Sequence, residues 1–165
     1  MEQPTATELY TSTWDHVNLN DVDPSFQSLD EGWYNLRLVK AEKRKFVYKP
    51  EHDRAGETDA FITLSFTIVN HPKFSGRYVF PSPIFPNGFG QTVARKLQDE
   101  TGINQSGDTE SWLKTLVATG PVLKCYVYNR PDEIKGQPNP RTMKADGSAS
   151  LKADIDWKRG IQSAD

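Results

Sequence analysis

The sequence predicts a mainly β domain, a five-stranded barrel with a helical insert between its third and fourth strands. Residues 61–68 carry the first observation, because four large apolar side chains alternate there with one Phe and three hydroxyl residues, as in a half-buried strand. The same period of two returns in residues 33–39 and 122–130. Helical apolar spacing lies between these strands, in residues 91–101 and 109–118.

Length and charge predict one domain over residues 31–160, with an irregular acidic arm over 1–30 and a short tail over 161–165. A chain of 165 residues is long enough to bury a core, and 11 Gly with 11 Pro suit a loop-rich β domain. Residues 1–36 hold seven acidic side chains and no Lys or Arg, so the remainder has 20 basic against 15 acidic residues. This basic body favours an anionic ligand, although a solubilising arm on an ordinary soluble domain is an equally simple interpretation.

The first three predicted strands open the body. The first strand begins at Gly32 and places these residues inward: Tyr34, Leu36 and Leu38. A polar loop over 46–59 leads to strand 60–69, and a turn connects that strand to a second β run over 77–80. The Pro/Gly-rich segment 81–90 is expected to contain neither helix nor strand.

The second half of the chain supplies the insert and the last two strands. Helix 91–101 is expected to stop at Gly102, and a shorter helix over 109–118 follows it. Strand 122–130 places these residues inward: Leu123, Cys125 and Val127. A long polar turn region over 131–150 then leads to a last strand over 151–157, whose inward residues are Leu151, Ala153, Ile155 and Trp157.

This order of elements is the order of the OB-fold, a small and partly open Greek-key barrel. A β-sandwich or another small α+β barrel is the alternative fold. Either architecture places strand residues of the other parity on an outer face, toward solvent or a ligand.

Catalytic chemistry has little support in the sequence. The histidines stand in three separate segments, without partners at metal-ligand spacing: His16, His52 and His71. Gly88-Phe89-Gly90 lacks the third glycine of a dinucleotide motif and the Gly-Lys pair of a P-loop. We interpret Asp154 and Asp156 as solvated strand charges and Cys125 as a buried thiol. The sequence therefore predicts no enzyme, no cofactor and no metal site.

The outward parity of the strands predicts a binding face for single-stranded nucleic acid. Such a ligand needs cations for its phosphates and flat side chains on which its bases stack. The residues that supply them are Trp33, Arg37, Lys43, Lys45, Phe61, Thr63, Arg77, Tyr78, Lys124, Tyr126, Tyr128 and Arg130. Two alternatives remain open: the arm or the insert helices could cover the aromatic residues, or the face could belong to a protein-interaction module.

Four stretches carry a resemblance to a known family. They are Gly32-Trp33-Tyr34, FITLSFTIVN, FSGRYVF and VARKLQDETGI, spread over roughly residues 30–130. The series resembles small phage-encoded proteins, long described as a domain of unknown function and generally taken to be OB-fold single-stranded-DNA-binding proteins. The resemblance implies a non-enzymatic role in phage DNA replication and recombination.

The resemblance also implies partners and a location. A protein of this kind coats single strands in the host cytoplasm, away from membranes, and delivers them to a recombinase, nuclease or polymerase. OB-fold binders often assemble through strand edges, so a homo-oligomer is an expectation too. Bacterial single-strand binders recruit partners through an acidic C-terminal tail, whereas this sequence concentrates acid at its N-terminus. We hypothesise that the acidic arm either occupies the basic groove or recruits a partner.

Overall fold

The computed structural model of the chain describes residues 12–21 and 28–165. Its strands are β1 (Gly32–Val47), β2 (Thr58–Val69), β3 (Tyr78–Val79), β4 (Val122–Pro131), β5 (Glu133–Ile134), β6 (Gln137–Pro138), β7 (Leu151–Ile155) and β8 (Ile161–Ser163). Its helices are α1 (Gly88–Thr101) and α2 (Thr109–Thr119), which follow β3 and precede β4 in the chain. Within the described ranges, no helix has the length and hydrophobicity needed to cross a membrane.

Five strands form a nearly closed antiparallel barrel in the order β3-β2-β1-β4-β7. This is a barrel and not the β-sandwich considered as an alternative. At the seam between β3 and β7, Ser82 reaches across to Asp154 with two hydrogen bonds of 3.0 and 2.6 Å. β8 lies beside β4 at Leu123–Cys125, whereas β7 pairs with β4 further along, from Val127 to Pro131.

The predicted inward parity of the first, second and fourth strands is confirmed. Their inward side chains are buried together in one core: Tyr34, Leu36, Leu38, Leu64, Phe66, Ile68, Leu123, Cys125 and Val127. The helices add a second layer to this core, through Val93, Leu97, Trp112, Leu113 and Leu116. Burial raises the pKa of the Cys125 thiol to about 12, which agrees with a structural rather than a nucleophilic cysteine.

Helix α1 begins at Gly88 rather than at residue 91, so the expectation that segment 81–90 holds no helix was wrong. Asn87 is the reason, because its Oδ1 accepts a hydrogen bond from the backbone N–H of Gly90 at 2.8 Å. Asp108 caps α2 in the same way, and both helices end at a glycine with positive φ, Gly102 and Gly120.

The later strands differ from the prediction in three places. β7 ends at Ile155, and Trp157 instead begins a 3-10 turn in which it is buried. Leu151 was expected to face inward and is half exposed. The long turn region 131–150 contains the β5–β6 hairpin, and the residues predicted as a tail include β8.

The predicted arm is described only in part, since residues 1–11 and 22–27 lie outside the described ranges. Residues 12–21 form two short 3-10 helices with no buried residue, and Trp14 is 76% exposed. Leu29, by contrast, is buried, and its carbonyl accepts a hydrogen bond from Asn129 Nδ2 at 2.7 Å. The barrel therefore extends to Leu29, before the predicted boundary.

Candidate nucleic-acid interface

A bulge in β1 decides which cations share the outer face of the barrel. The register shifts between Leu38 and Lys40, so Lys43 lies opposite Ile62, an inward position of β2. Arg44 lies opposite Phe61 instead. The expectation that Lys43 and Lys45 continue the face of Trp33 and Arg37 was therefore wrong, because one extra residue reverses the parity of everything after it.

The cations on the outer face of β1 beyond the bulge are Lys40 and Arg44. Both flank Glu42, with Lys40 Nζ 3.3 Å and Arg44 Nη2 2.8 Å from its carboxylate oxygens. Hydrogen bonds from Arg44 and Lys40 lower the pKa of the Glu42 carboxyl. Two exposed cations against one carboxylate leave this row with a net positive charge.

Tyr78 and Phe80 place two exposed rings on the same outer face. The rings stack in parallel, with centroids 5.6 Å apart and an interplanar angle of 1°, and are 57% and 52% exposed. Tyr78 lies opposite Thr67 of β2, and Thr67 lies opposite Arg37 of β1. Tyr78 and Arg37 are therefore separated by two strand spacings, or about 10 Å.

A second group of rings forms a cleft between the β1–β2 loop and segment 84–87. Phe85 packs at 5.4 Å from both Phe46 and Phe61, and Phe46 is 6.0 Å from Phe61. Tyr48 joins Phe46 edge-on at 4.9 Å, and its other side stacks on His52 at 4.3 Å. The cleft has a volume of about 850 Å³, and most of its lining is apolar.

Arg54 fixes the loop wall of this cleft. Its guanidinium lies 4.8 Å from the Tyr48 ring centre and donates hydrogen bonds to Tyr48 Oη and to Asp59, each at 3.1 Å. A further hydrogen bond of 2.6 Å joins Arg54 to Glu57. Tyr48 Oη donates to Asp59 Oδ2 at 2.7 Å, and this bond raises the pKa of Tyr48 while it lowers that of Asp59.

Helix α1 fixes the opposite wall. A Cβ atom at Gly90 would lie 1.7 Å from the carbonyl oxygen of Phe85 and 3.1 Å from Ile84 Cγ2. Only glycine lets the first turn of α1 approach segment 84–87 this closely. Ile84 in turn exchanges two backbone hydrogen bonds with Ile62 of β2, at 2.9 and 2.8 Å, so Phe85 is held next to Phe61.

Trp33 and Tyr126 lie at the far end of the barrel from this cleft. Their rings meet edge to face at 5.6 Å, and the guanidinium of Arg159 covers Tyr126 at 3.8 Å. Lys124 is paired with Asp165 at 2.9 Å. Phe61 lies opposite Arg44, which is about 36 Å from Trp33 along β1, so the predicted residues Trp33 and Phe61 do not belong to one compact site.

Arg130 and Tyr128 belong to the barrel seam. Arg130 Nε donates to Asp154 Oδ2 at 2.8 Å, and Arg130 Nη2 donates to Ser82 Oγ at 3.2 Å. Asp154 is 3% exposed, so the interpretation of this residue as a solvated charge was wrong. Burial and the nearby Asp154 raise the pKa of Tyr128, which lines a smaller cavity of about 450 Å³ on the other side of Phe85.

Arg77 and Lys43 face other elements. The guanidinium of Arg77 lies 5.6 Å from the Phe74 ring, on the opposite face of the strand from Tyr78. Lys43 Nζ lies 3.9 Å from Glu110 of α2. The sequence placed Lys43 on the outer face because it gave no sign of the bulge in β1. It placed Arg77 there together with Tyr78, although adjacent residues of a strand face opposite sides.

The structure therefore brings together four predicted residues on the outer face of β1–β3: Arg37, Phe61, Thr63 and Tyr78. The sequence reasoning missed the neighbours that complete this outer face, which are Lys40, Arg44, Phe46, Tyr48, Phe80 and Phe85. A signal for the last two existed, because Phe80 and Phe85 are aromatic residues within a Pro-rich connection that has little apolar periodicity.

Neither a metal-ligand cluster among the described residues nor a similar known protein adds to this description. In residues 12–21 and 28–165, no three His, Cys, Asp or Glu side chains come together in a way that could hold a metal ion. No protein-family model matches the chain, and neither a curated protein nor a solved structure shows significant similarity to it.

Proposed function

We propose that this chain is an OB-fold protein that binds single-stranded DNA without catalysis and with little sequence preference. One observation carries the proposal: exposed aromatic rings and cations share the outer face of β1–β3. The exposed rings are those of Tyr78, Phe80 and Phe85, with the half-buried Phe61 beside them, and the cations are Arg37, Lys40 and Arg44. Strands 2 and 3 form the oligonucleotide-binding face of OB-folds, which supports the assignment.

The two kinds of side chain have separate tasks in this proposal. Arg37, Lys40 and Arg44 attract the phosphate backbone, which gives affinity that falls as salt rises. The rings receive bases, each worth about 1–3 kcal/mol by alanine substitution in comparable proteins. Thr67 and Phe61 are about 20 Å apart along β2, a length that suits a few extended nucleotides. A duplex keeps its base faces stacked internally and cannot use these rings.

The biological setting is proposed on the resemblance stated above. A single-strand binder of a phage coats and protects replication and recombination intermediates in the host cytoplasm. It passes them to a recombinase, nuclease or polymerase, and it could do so as a homo-oligomer. We propose that the arm contacts the recombinase, nuclease or polymerase. In its described part, Trp14 is exposed and lies next to Asp15 in the sequence.

Fluorescence anisotropy of a labelled 30-nucleotide oligo-dT, set against the matching duplex, tests this function. We expect preferential binding of the single strand, and we expect the affinity to drop steeply between 50 and 200 mM salt. Equal affinity for both forms, or no binding at 50 mM salt, would contradict the proposal.

A protein-interaction module is the second candidate, favoured by the apolar lining of the 850 Å³ cleft. Salt separates the two functions, because an aromatic protein interface depends much less on ionic strength than phosphate binding does. A partner captured equally well at low and high salt, without oligo-dT binding, would favour this second function.

A further inference from the structure

We propose that the cleft between residues 48–57 and 84–87 is a base-insertion subsite, which takes up one unpaired nucleobase of a bound strand. The inference rests on the proposed function, and adds to it a place where a base leaves the flat outer face and enters a cavity. The cleft would then discriminate single strands from duplexes by shape, in addition to charge.

The walls of the cleft match the flat faces of a base. Phe46, Phe61 and Phe85 meet at centroid separations between 5.4 and 6.0 Å, and Tyr48 and His52 stack on the loop side. Phe85 is 42% exposed and Val47 is 59% exposed, so apolar surface is offered to a ligand. A nucleobase has a π face on both sides and can stack on any of these rings.

The polar atoms of the lining favour a base over an apolar protein side chain. His52 Nδ1 accepts a hydrogen bond from the backbone N–H of Arg54 at 3.0 Å, so Nε2 is the ring nitrogen that remains to donate to a ligand. Asn87 uses its Oδ1 to cap α1, and its Nδ2 is the other donor. Glu51 supplies an acceptor. The edge of a base needs both donors and acceptors, whereas Leu or Phe side chains need neither.

The charges of the lining fit the same occupant. Glu51 disfavours a phosphate inside the cleft, while Lys49, also in the lining, can pair with the backbone of the strand. A neutral base inside the cleft and a phosphate at Lys49 satisfy both groups. Arg54 is not needed for the ligand, since it is engaged with Tyr48, Glu57 and Asp59.

The cleft is held open before any ligand arrives. The hydrogen bonds around Arg54 fix Tyr48, and the close approach of α1 at Gly90 fixes Phe85. A preformed site loses little conformational entropy on binding, so the stacking energy appears as affinity. A paired base must be flipped out of its stack to enter the cleft, and this loss of pairing and stacking lowers the affinity for duplex DNA.

Two substitutions of the same residue type test the subsite. Phe85→Leu keeps an apolar side chain but removes a flat wall, and Phe89→Leu is the matched control. Phe89 is four residues away and 53% exposed, and lies outside the cleft lining. Each protein is titrated with a 30-nucleotide oligo-dT and with an abasic strand of equal length, and its thermal unfolding is recorded to verify folding.

We expect Phe85→Leu to weaken oligo-dT binding by roughly five- to 140-fold, the value of one stacked base, without changing the affinity for the abasic strand. Phe89→Leu should retain the preference of the unaltered protein for oligo-dT. Equal loss for both strands, or unchanged oligo-dT affinity in folded Phe85→Leu protein, would overturn the subsite while leaving the proposed function intact. Failure of the unaltered protein to bind oligo-dT would overturn both.

Discussion

Substituting Gly90 by Ala should destabilise the protein, although alanine is the better helix former. In an exposed helix interior this change gains about 1 kcal/mol of helix propensity. At Gly90 the added Cβ would lie 1.7 Å from the Phe85 carbonyl oxygen, and real Cβ atoms approach other atoms no closer than 3.0 Å. The helix and segment 84–87 must therefore separate by at least about 1.3 Å.

The size of the effect follows from two opposing contributions. Forcing one extra methyl group into a packed site costs about 1–3 kcal/mol, and here the obstructing atom belongs to the backbone and cannot rotate away. Because the obstruction is rigid, the cost belongs in the upper half of that range, about 2–3 kcal/mol, so after the propensity gain of about 1 kcal/mol the free energy of unfolding should fall by about 1–2 kcal/mol. The displaced Phe85 should also weaken oligo-dT binding.

Urea unfolding followed by tryptophan fluorescence measures this change. With a slope of about 2 kcal/mol per molar urea, the middle of the usual range, the midpoint should drop by roughly 0.5–1 M. Gly88→Ala is the matched control on the same helix, because a Cβ there has no heavy atom within 4 Å in the described part of the chain. Gly88→Ala should be neutral or slightly stabilising. If Gly90→Ala unfolds at the same urea concentration as Gly88→Ala, the account of the cleft wall is refuted.

Three further predictions concern the seam, the core and the outer face. Asp154→Ala removes the buried carboxylate that accepts hydrogen bonds from Ser82 and from the partly exposed Arg130, and it should lower the free energy of unfolding by about 1.5–3 kcal/mol, measured by urea titration. Cys125, with its pKa raised to about 12, should not react with a thiol reagent at pH 8 until the protein unfolds, and prompt labelling of the native protein would contradict its burial. Lys40→Gln combined with Arg44→Gln should flatten the salt dependence of oligo-dT binding by about 1.4 in log-log slope. Lys43→Gln, on the opposite face, should leave that slope unchanged, and equal effects would refute the bulge argument.

The core of the barrel was predictable because a strand with one buried face alternates apolar and polar residues with a period of two. Leu36, Leu38, Phe66 and Ile68 have strongly apolar side chains between polar neighbours, so only one face can be buried. The helices were equally visible through their apolar spacing. Their C-terminal glycines were recognised but their N-caps were not, and Asn87 would have moved the start of α1 to Gly88.

The outer half of β1 could not be assigned by parity. Residues 40–45 are almost all polar on both faces, so the bulge between Leu38 and Lys40 leaves no hydrophobic trace. The reversal of Lys43 and Arg44 therefore became apparent only from the register with β2. Because residues 40–45 show no apolar/polar alternation, the sequence analysis also ended the strand too early and placed Phe46 in a loop, although Phe46 lies in β1.

The seam and the cleft depend on contacts between segments that are distant in the chain. Ser82 and Asp154 are 72 residues apart, and nothing in either local sequence indicates that they meet. The cleft needs three segments together, around Tyr48, Phe61 and Phe85. Periodicity reports which face of a strand is buried, but it does not report which strands curve toward one another.

Photocrosslinking of a 5-iodouracil-substituted oligo-dT, with the adducts mapped by mass spectrometry, tests the central claim most directly. The account predicts adducts on the outer face of β1–β3 and in the cleft, above all at Tyr78, Phe80 and Phe85. Adducts confined to the far end of the barrel, at Trp33 and Tyr126, would contradict it.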